Sequence, residues 1–205
     1  MLGVSGDRPM DDTALAQLFQ ESSRCIAALG TTSCGLIRKI AEEIILGFAA
    51  GCKVLLLGNG GSASQAQHFA AELVNRYRYD RCALPAIALT TDTSVLTSIS
   101  NDAAFTEVFA RQIAALGKPG DIAWGLSTSG TSPNLLRAFE TARRMGLRTI
   151  SFTGPPGNDL ARLSDVALTV DAHHTGRIQE VHLCAGHAVC ELVETHYRTQ
   201  KPISI

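Results

Sequence analysis

The sequence predicts an α/β domain built on a five-stranded parallel sheet, and three observations predict it. From residue 53 onward, short apolar runs alternate with helical patterns. That alternation gives a parallel sheet wrapped on both faces by right-handed crossovers. Two segments, VLLLGNGGSAS (54–64) and IAWGLSTSGTS (122–132), each end an apolar run abruptly in Gly, Ser, Thr or Asn before a helical pattern. This is the signature of a buried strand, a tight loop and a helix N-terminus. Finally, 205 residues suit one domain with a full-size core.

Two helices come first. One spans 11–29, with Asp11 and Asp12 as caps and Gly30 as its stop. The next follows Thr31, Thr32 and Ser33 and closes at Gly51. Its Ile37, Ile40, Ala41, Ile44, Ile45 and Phe48 form one apolar stripe. A small α/β domain rarely needs both helices for its own core, so they are read as an oligomer interface. Strands are expected over 53–57, 86–89, 121–126, 148–153 and 166–170, with helices over 64–78, 106–116, 133–145, 159–163 and 177–197. Residues 1–10 read as a flexible tail.

Composition narrows the partners. A net charge of −1 leaves no basic footprint, which argues against nucleic acid. No apolar run is long enough to span a bilayer. The first residues lack a cationic segment followed by an apolar one, so no secretory signal is read there. The six cysteines show no CxxC spacing and lie mostly in apolar or helical stretches, as reduced thiols of a cytoplasmic protein would.

The chemistry concentrates in the two loops and two helices. Ser127-Thr128-Ser129-Gly130-Thr131-Ser132 packs five hydroxyls into six residues at a helix N-terminus. Hydroxyls and free helix N–H groups can hold a phosphate without Lys or Arg. An ordinary cap and turn would need only one of them. Neither loop fits the nucleotide P-loop or the GxGxxG fingerprint, so the anion expected is a sugar phosphate. In the first loop, Gly58-Asn59-Gly60-Gly61-Ser62, Asn59 and Ser62 suit sugar hydroxyls. His68 and Glu72 follow at i, i+4, a spacing that also fits a plain surface pair. On the last helix Gln179 and His187 project about 80° apart, near enough to face one point. Periodicity does not choose between core and solvent for His182 and Glu191.

Four segments taken together, GNGGSASQAQHFAAEL, LPAIALTTDTSVLTSISND, GLSTSGTSPNLLRAF and RIQEVHLCAGH, closely resemble the bacterial phosphoheptose isomerases. These are sugar-isomerase (SIS) domain enzymes that convert sedoheptulose 7-phosphate to D-glycero-D-manno-heptose 7-phosphate, a precursor of ADP- or GDP-heptose for lipopolysaccharide core or other glycans. The resemblance covers nearly everything from 53 to 193. It implies a flavodoxin-like SIS domain over 11–205, with oligomerisation helices over 11–51 and the sheet and terminal helix over 53–199. It also implies a homotetramer whose active sites are built partly from a neighbouring subunit.

Carried over by position, the resemblance makes His68, Glu72, Gln179 and His187 the ligands of one zinc per subunit. Glu72 becomes the general base and His187 the acid. Ser127, Thr128, Ser129 and Ser132 would hold the phosphate. Asn59, Gly60, Gly61, Ser62, Glu72 and Gln179 would line the sugar, joined by Asn101 and Asp102 from a turn over 100–102. Aldose–ketose exchange through an enediol needs a base at carbon and an acid at oxygen, which a carboxylate and an imidazole supply. One departure stands at Ala103-Ala104-Phe105, where the family carries an aromatic and glycine-containing stretch. The alternatives are a SIS isomerase for another phosphosugar, and the non-catalytic SIS protein that binds the replication initiator DnaA. The latter lacks the carboxylate and imidazole that Glu72 and His187 provide.

Overall fold

Five strands form one parallel sheet in the order β2-β1-β3-β4-β5. They are β1 (Val54–Gly58), β2 (Ala86–Ala88), β3 (Ile122–Ser127), β4 (Arg148–Thr153) and β5 (Val166–Thr169). The computed structural model describes residues 11–198, and the tail expected over 1–10 lies outside them. β1 and β3 are buried along their whole length, as strands covered on both faces must be.

Side-chain alternation sorts the core into two layers. Leu56, Trp124 and Phe152 face α2 (Cys34–Ala49), α3 (Gly61–Val74) and α8 (Thr175–Tyr197). Leu55, Leu57 and Ala123 face α5 (Val108–Leu116), α6 (Pro133–Arg144) and α7 (Asp159–Leu163). Phe69 of α3 stacks on Trp124 with ring centroids 5.4 Å apart. From β1 the chain steps outward to β2, then returns past β1 to β3. The winding therefore reverses between β1 and β3, and in this flavodoxin-like order ligands bind beyond the strand ends at that reversal.

Two expectations need correction. The leading helices do not break at Gly30. The chain runs from α1 (Asp12–Ala28) through a π-helical turn, Leu29–Ser33, directly into α2. The Thr31 and Thr32 hydroxyls donate to the Ala28 carbonyl at 3.0 and 2.8 Å, satisfying an acceptor that the wider turn would leave open. Nor is 100–102 a turn. It closes a helix absent from the sequence reading, α4 (Thr93–Asp102), capped by Asp92, whose Oδ1 accepts from Val95 N at 3.0 Å. No residue of α4 is buried, and its Ser, Thr and β-branched residues are weak helix formers. A helix lacking a buried stripe carries little periodic signal.

Candidate active site

Both loops read from the sequence lie at the β1/β3 reversal. They bound a cavity of about 180 Å³ lined by Asn59, Ser62, Ser127, Thr128, Ser129 and Ser132, with Thr175 and Gln179 closing it from α8. Three helices begin at this cavity: α3 at Gly61, α6 at Pro133 and α8 at Thr175. Their free N–H groups make the cavity attractive to anions, although no Lys or Arg lines it. The hydroxyls divide the work. Ser127 Oγ accepts from Gly130 N at 3.0 Å and Ser129 Oγ from Thr131 N at 3.2 Å, which shapes the loop. Ser132 occupies the N-cap position of α6 without a side-chain cap bond, so its hydroxyl is uncommitted.

The two loops are tied together by a pair that sequence reading missed. Asn59 and Asn134 exchange reciprocal side-chain amide hydrogen bonds of 2.9 Å each. Asn134 is 2% exposed. Its position directly after Ser132-Pro133 was the only available signal.

Further along α3 and α8, three ligand-type side chains meet. His68 Nε2 lies 2.8 Å from His187 Nε2 and 3.4 Å from Glu72 Oε1. Each of the three offers a ligand atom within 4.8 Å of the others. Close helix packing makes this possible: a Cβ on Gly186 would stand 2.0 Å from the Phe69 ring, so only glycine lets α8 approach α3 here. Burial lowers the His187 pKa, the neighbouring His68 lowers it further, and Glu72 opposes both. The donor set of two imidazoles and one carboxylate suits zinc and leaves a position open for substrate or a further ligand.

Gln179 is not part of that group within one chain. It precedes His187 by eight residues, about 12 Å of helix rise. Its amide instead lies against Gly61, where an added Cβ would stand 2.6 Å from Nε2. The small angle between Gln179 and His187 around α8 therefore did not imply proximity. Asn101 and Asp102 also lie apart from the loops. Asn101 Nδ2 donates to Asp102 Oδ1 at 2.8 Å. Asp102 lines a separate cavity of about 440 Å³ with Ser98, Ile99, Glu107 and Arg111.

His182, left open by periodicity, is a core residue. It is fully buried, Nε2 donates to the Thr153 carbonyl at 3.1 Å, and burial pulls its pKa down to about 4. Glu191 is solvent-facing and pairs with Arg78 at 2.6 Å.

A family model for the SIS domain matches residues 17–154. A phosphoheptose isomerase of Roseiflexus sp. is 53% identical over 163 residues, covering 80% of this chain and 83% of that protein. One from Paramagnetospirillum magneticum is 49% identical over 182 residues, covering 89% and 95%. Among solved structures, phosphoheptose isomerase from Neisseria gonorrhoeae superposes with a TM-score of 0.84 at 39% identity, covering 89% of this chain and 98% of that one. The Francisella tularensis phosphoheptose isomerase gives 0.86 at 33% identity, covering 89% and 97%.

Proposed function

This chain belongs to the phosphoheptose isomerases of the SIS-domain family, and from that premise we propose that it converts sedoheptulose 7-phosphate to D-glycero-D-manno-heptose 7-phosphate. It is an aldose–ketose isomerase. The observation that carries the detailed reading is the convergence of His68 and Glu72 of α3 with His187 of α8, two helices that both open at the hydroxyl-lined cavity. α3 begins at that cavity and reaches His68 seven residues later, about 10 Å on. That is the reach of an extended seven-carbon sugar from its terminal phosphate to its carbonyl end.

In this reading the phosphate sits among Ser127, Thr128, Ser129 and Ser132, with Asn59, Gly60, Gly61, Ser62 and Gln179 along the sugar. Glu72 takes a proton from C1 of the ketose and the C1–C2 enediol forms. That proton, or one exchanged with it, returns to C2. His187 serves the oxygens, receiving the O1 proton and supplying one to O2, so the overall change moves two hydrogens and no other atom. Burial lowers the His187 pKa, which keeps its imidazole neutral and able to take up and return a proton.

His68, Glu72 and His187 would hold one zinc per subunit, and with Nε2 on the ion the proton His187 trades would be the one on Nδ1. When bound, the ion supplies Lewis-acid polarisation of the carbonyl and adjacent hydroxyls. Gln179, as the further ligand expected from the family, would come from another protomer, and Asn101 and Asp102 would likewise complete a neighbour's sugar site. A homotetramer is supported by α1, which buries none of its residues within the chain and exposes Leu15 and Phe19. The cellular setting is the cytoplasm, feeding heptose-nucleotide precursors for lipopolysaccharide core or other glycans.

The deciding experiment incubates the purified protein with sedoheptulose 7-phosphate and follows the product by NMR. An aldoheptose 7-phosphate supports the assignment. Unchanged ketose, with the sugar phosphate bound, would leave a non-catalytic SIS receptor.

A further inference from the structure

Residues 75–83, between α3 and β2, form no regular structure, yet they are held by two buried opposite charges. The Glu194 carboxylate, 1% exposed, accepts three successive backbone N–H groups: Tyr77 and Arg78 at 2.7 Å and Tyr79 at 3.0 Å. Arg81, 3% exposed, stands 3.7 Å from that carboxylate. Its guanidinium donates to the carbonyls of Glu72 at 2.7 Å, Cys82 at 2.8 Å and Asn75 at 3.2 Å. Burying two opposite charges adds little stability over an apolar pair. A structural reason for this arrangement is therefore better sought in what the segment presents.

It presents Tyr77, whose ring stacks on the His187 imidazole with centroids 5.5 Å apart and planes 27° from parallel. His187 is thereby fixed on three sides: Tyr77 over its face, the edge of Phe69 at 6.2 Å, and His68 at Nε2. The Tyr77 hydroxyl makes no side-chain hydrogen bond among the described residues, so the ring carries the contact. We infer that Tyr77 is a positioning residue, holding the His187 imidazole in the orientation that brings Nε2 to His68 and Glu72, and that Glu194 with Arg81 holds Tyr77 in place. This rests on the reading of His187 as acid and metal ligand, and adds to it the part of the chain that fixes the ring.

The test compares Tyr77→Phe, which keeps the ring, with Tyr77→Leu, which keeps apolar bulk but loses the stack. Three readouts are needed: steady-state kinetics with sedoheptulose 7-phosphate, zinc affinity by competition with a chromophoric chelator, and the His187 Hε1 shift in metal-free protein. Tyr77→Phe should match the parent within twofold throughout. Tyr77→Leu should lower kcat about 10-fold or more while KM stays within twofold. It should also weaken zinc binding about 10-fold or more and move His187 Hε1 downfield as the ring current is lost. If Tyr77→Leu melts well below the parent, Tyr77→Met replaces it. Unchanged kcat, zinc affinity and Hε1 shift in the ring-less variant would overturn the inference. A parent protein that turns over no sugar would instead sink the proposed function, while zinc affinity and Hε1 would still decide whether Tyr77 positions His187.

Discussion

His68 and His187 face each other with their Nε2 atoms 2.8 Å apart, so one ring donates and the other accepts according to tautomer. A metal ion would need both Nε2 lone pairs, so each neutral ring would carry its proton on Nδ1 when the ion binds. Protonating His187 would remove its lone pair, so zinc affinity should fall in acid, below the ordinary imidazole range because burial lowers that pKa. His187→Gln should lose metal and turnover together, and chelator-stripped parent protein should regain turnover when zinc is returned. Elemental analysis beside the rate assay checks this. Full turnover in metal-stripped protein would confine zinc to a structural part.

Ser132 offers a clean separation of binding from folding. Its hydroxyl caps nothing, although it stands at the N-cap of α6. Ser132→Ala should leave the melting temperature within about 1–2 °C, since no cap is lost. It should raise KM for the sugar phosphate about 10-fold, the value of one hydrogen bond to a charged group. By contrast, Ser127→Ala also removes the acceptor for Gly130 N and should lower stability as well.

Asn134 should behave as a residue of the site without lining it. Truncating it to Ala strands the Asn59 amide, which loses both reciprocal bonds. A cost of about 1–3 kcal/mol is expected from the unpaired group. Because the bond spans the two loops, KM should rise more than kcat falls. Denaturant titration and steady-state kinetics on the same preparation measure both effects.

His182 makes stability depend on acid. Its folded pKa is about 4, against an ordinary value of 6.5. Above pH 6.5 the imidazole is neutral in both states and nothing changes. Between 6.5 and 4 the unfolded chain takes up a proton that the buried ring refuses, so stability declines as pH falls. The full loss is about 3 kcal/mol. Urea unfolding at pH 7.5 and pH 5 should show this drop in the parent and a smaller one in His182→Gln.

The sheet and the hydroxyl-lined cavity were legible because their signals are local. Continuous apolar runs ending in Gly- and Ser-rich loops named β1, β3 and the residues that line the cavity between them. α4 was illegible because it fully buries no residue, with only Leu96 and Ile99 partly buried against the core, too short a stripe to read. The His68–Glu72 pair was visible as a spacing, but its meeting with His187 depends on Gly186 admitting the Phe69 ring, a contact between helices far apart in sequence. The family resemblance named that group; periodicity could not. Gln179 shows the converse failure, since a helical wheel reports angle and says nothing about 12 Å of rise along the axis. Tyr77 lay in a segment without periodicity, and its place is set by a carboxylate more than a hundred residues away.

The most direct measurement is turnover of sedoheptulose 7-phosphate by Glu72→Gln, taken with its zinc content and melting curve. Glutamine keeps an oxygen ligand and nearly the same shape but cannot accept a proton from carbon. The expected result is a folded, zinc-loaded protein whose turnover has fallen by about 10²-fold or more. Turnover at the parent's rate in that variant would contradict the assignment of Glu72 as the base, and with it the reading of the His68–Glu72–His187 group as the centre of catalysis.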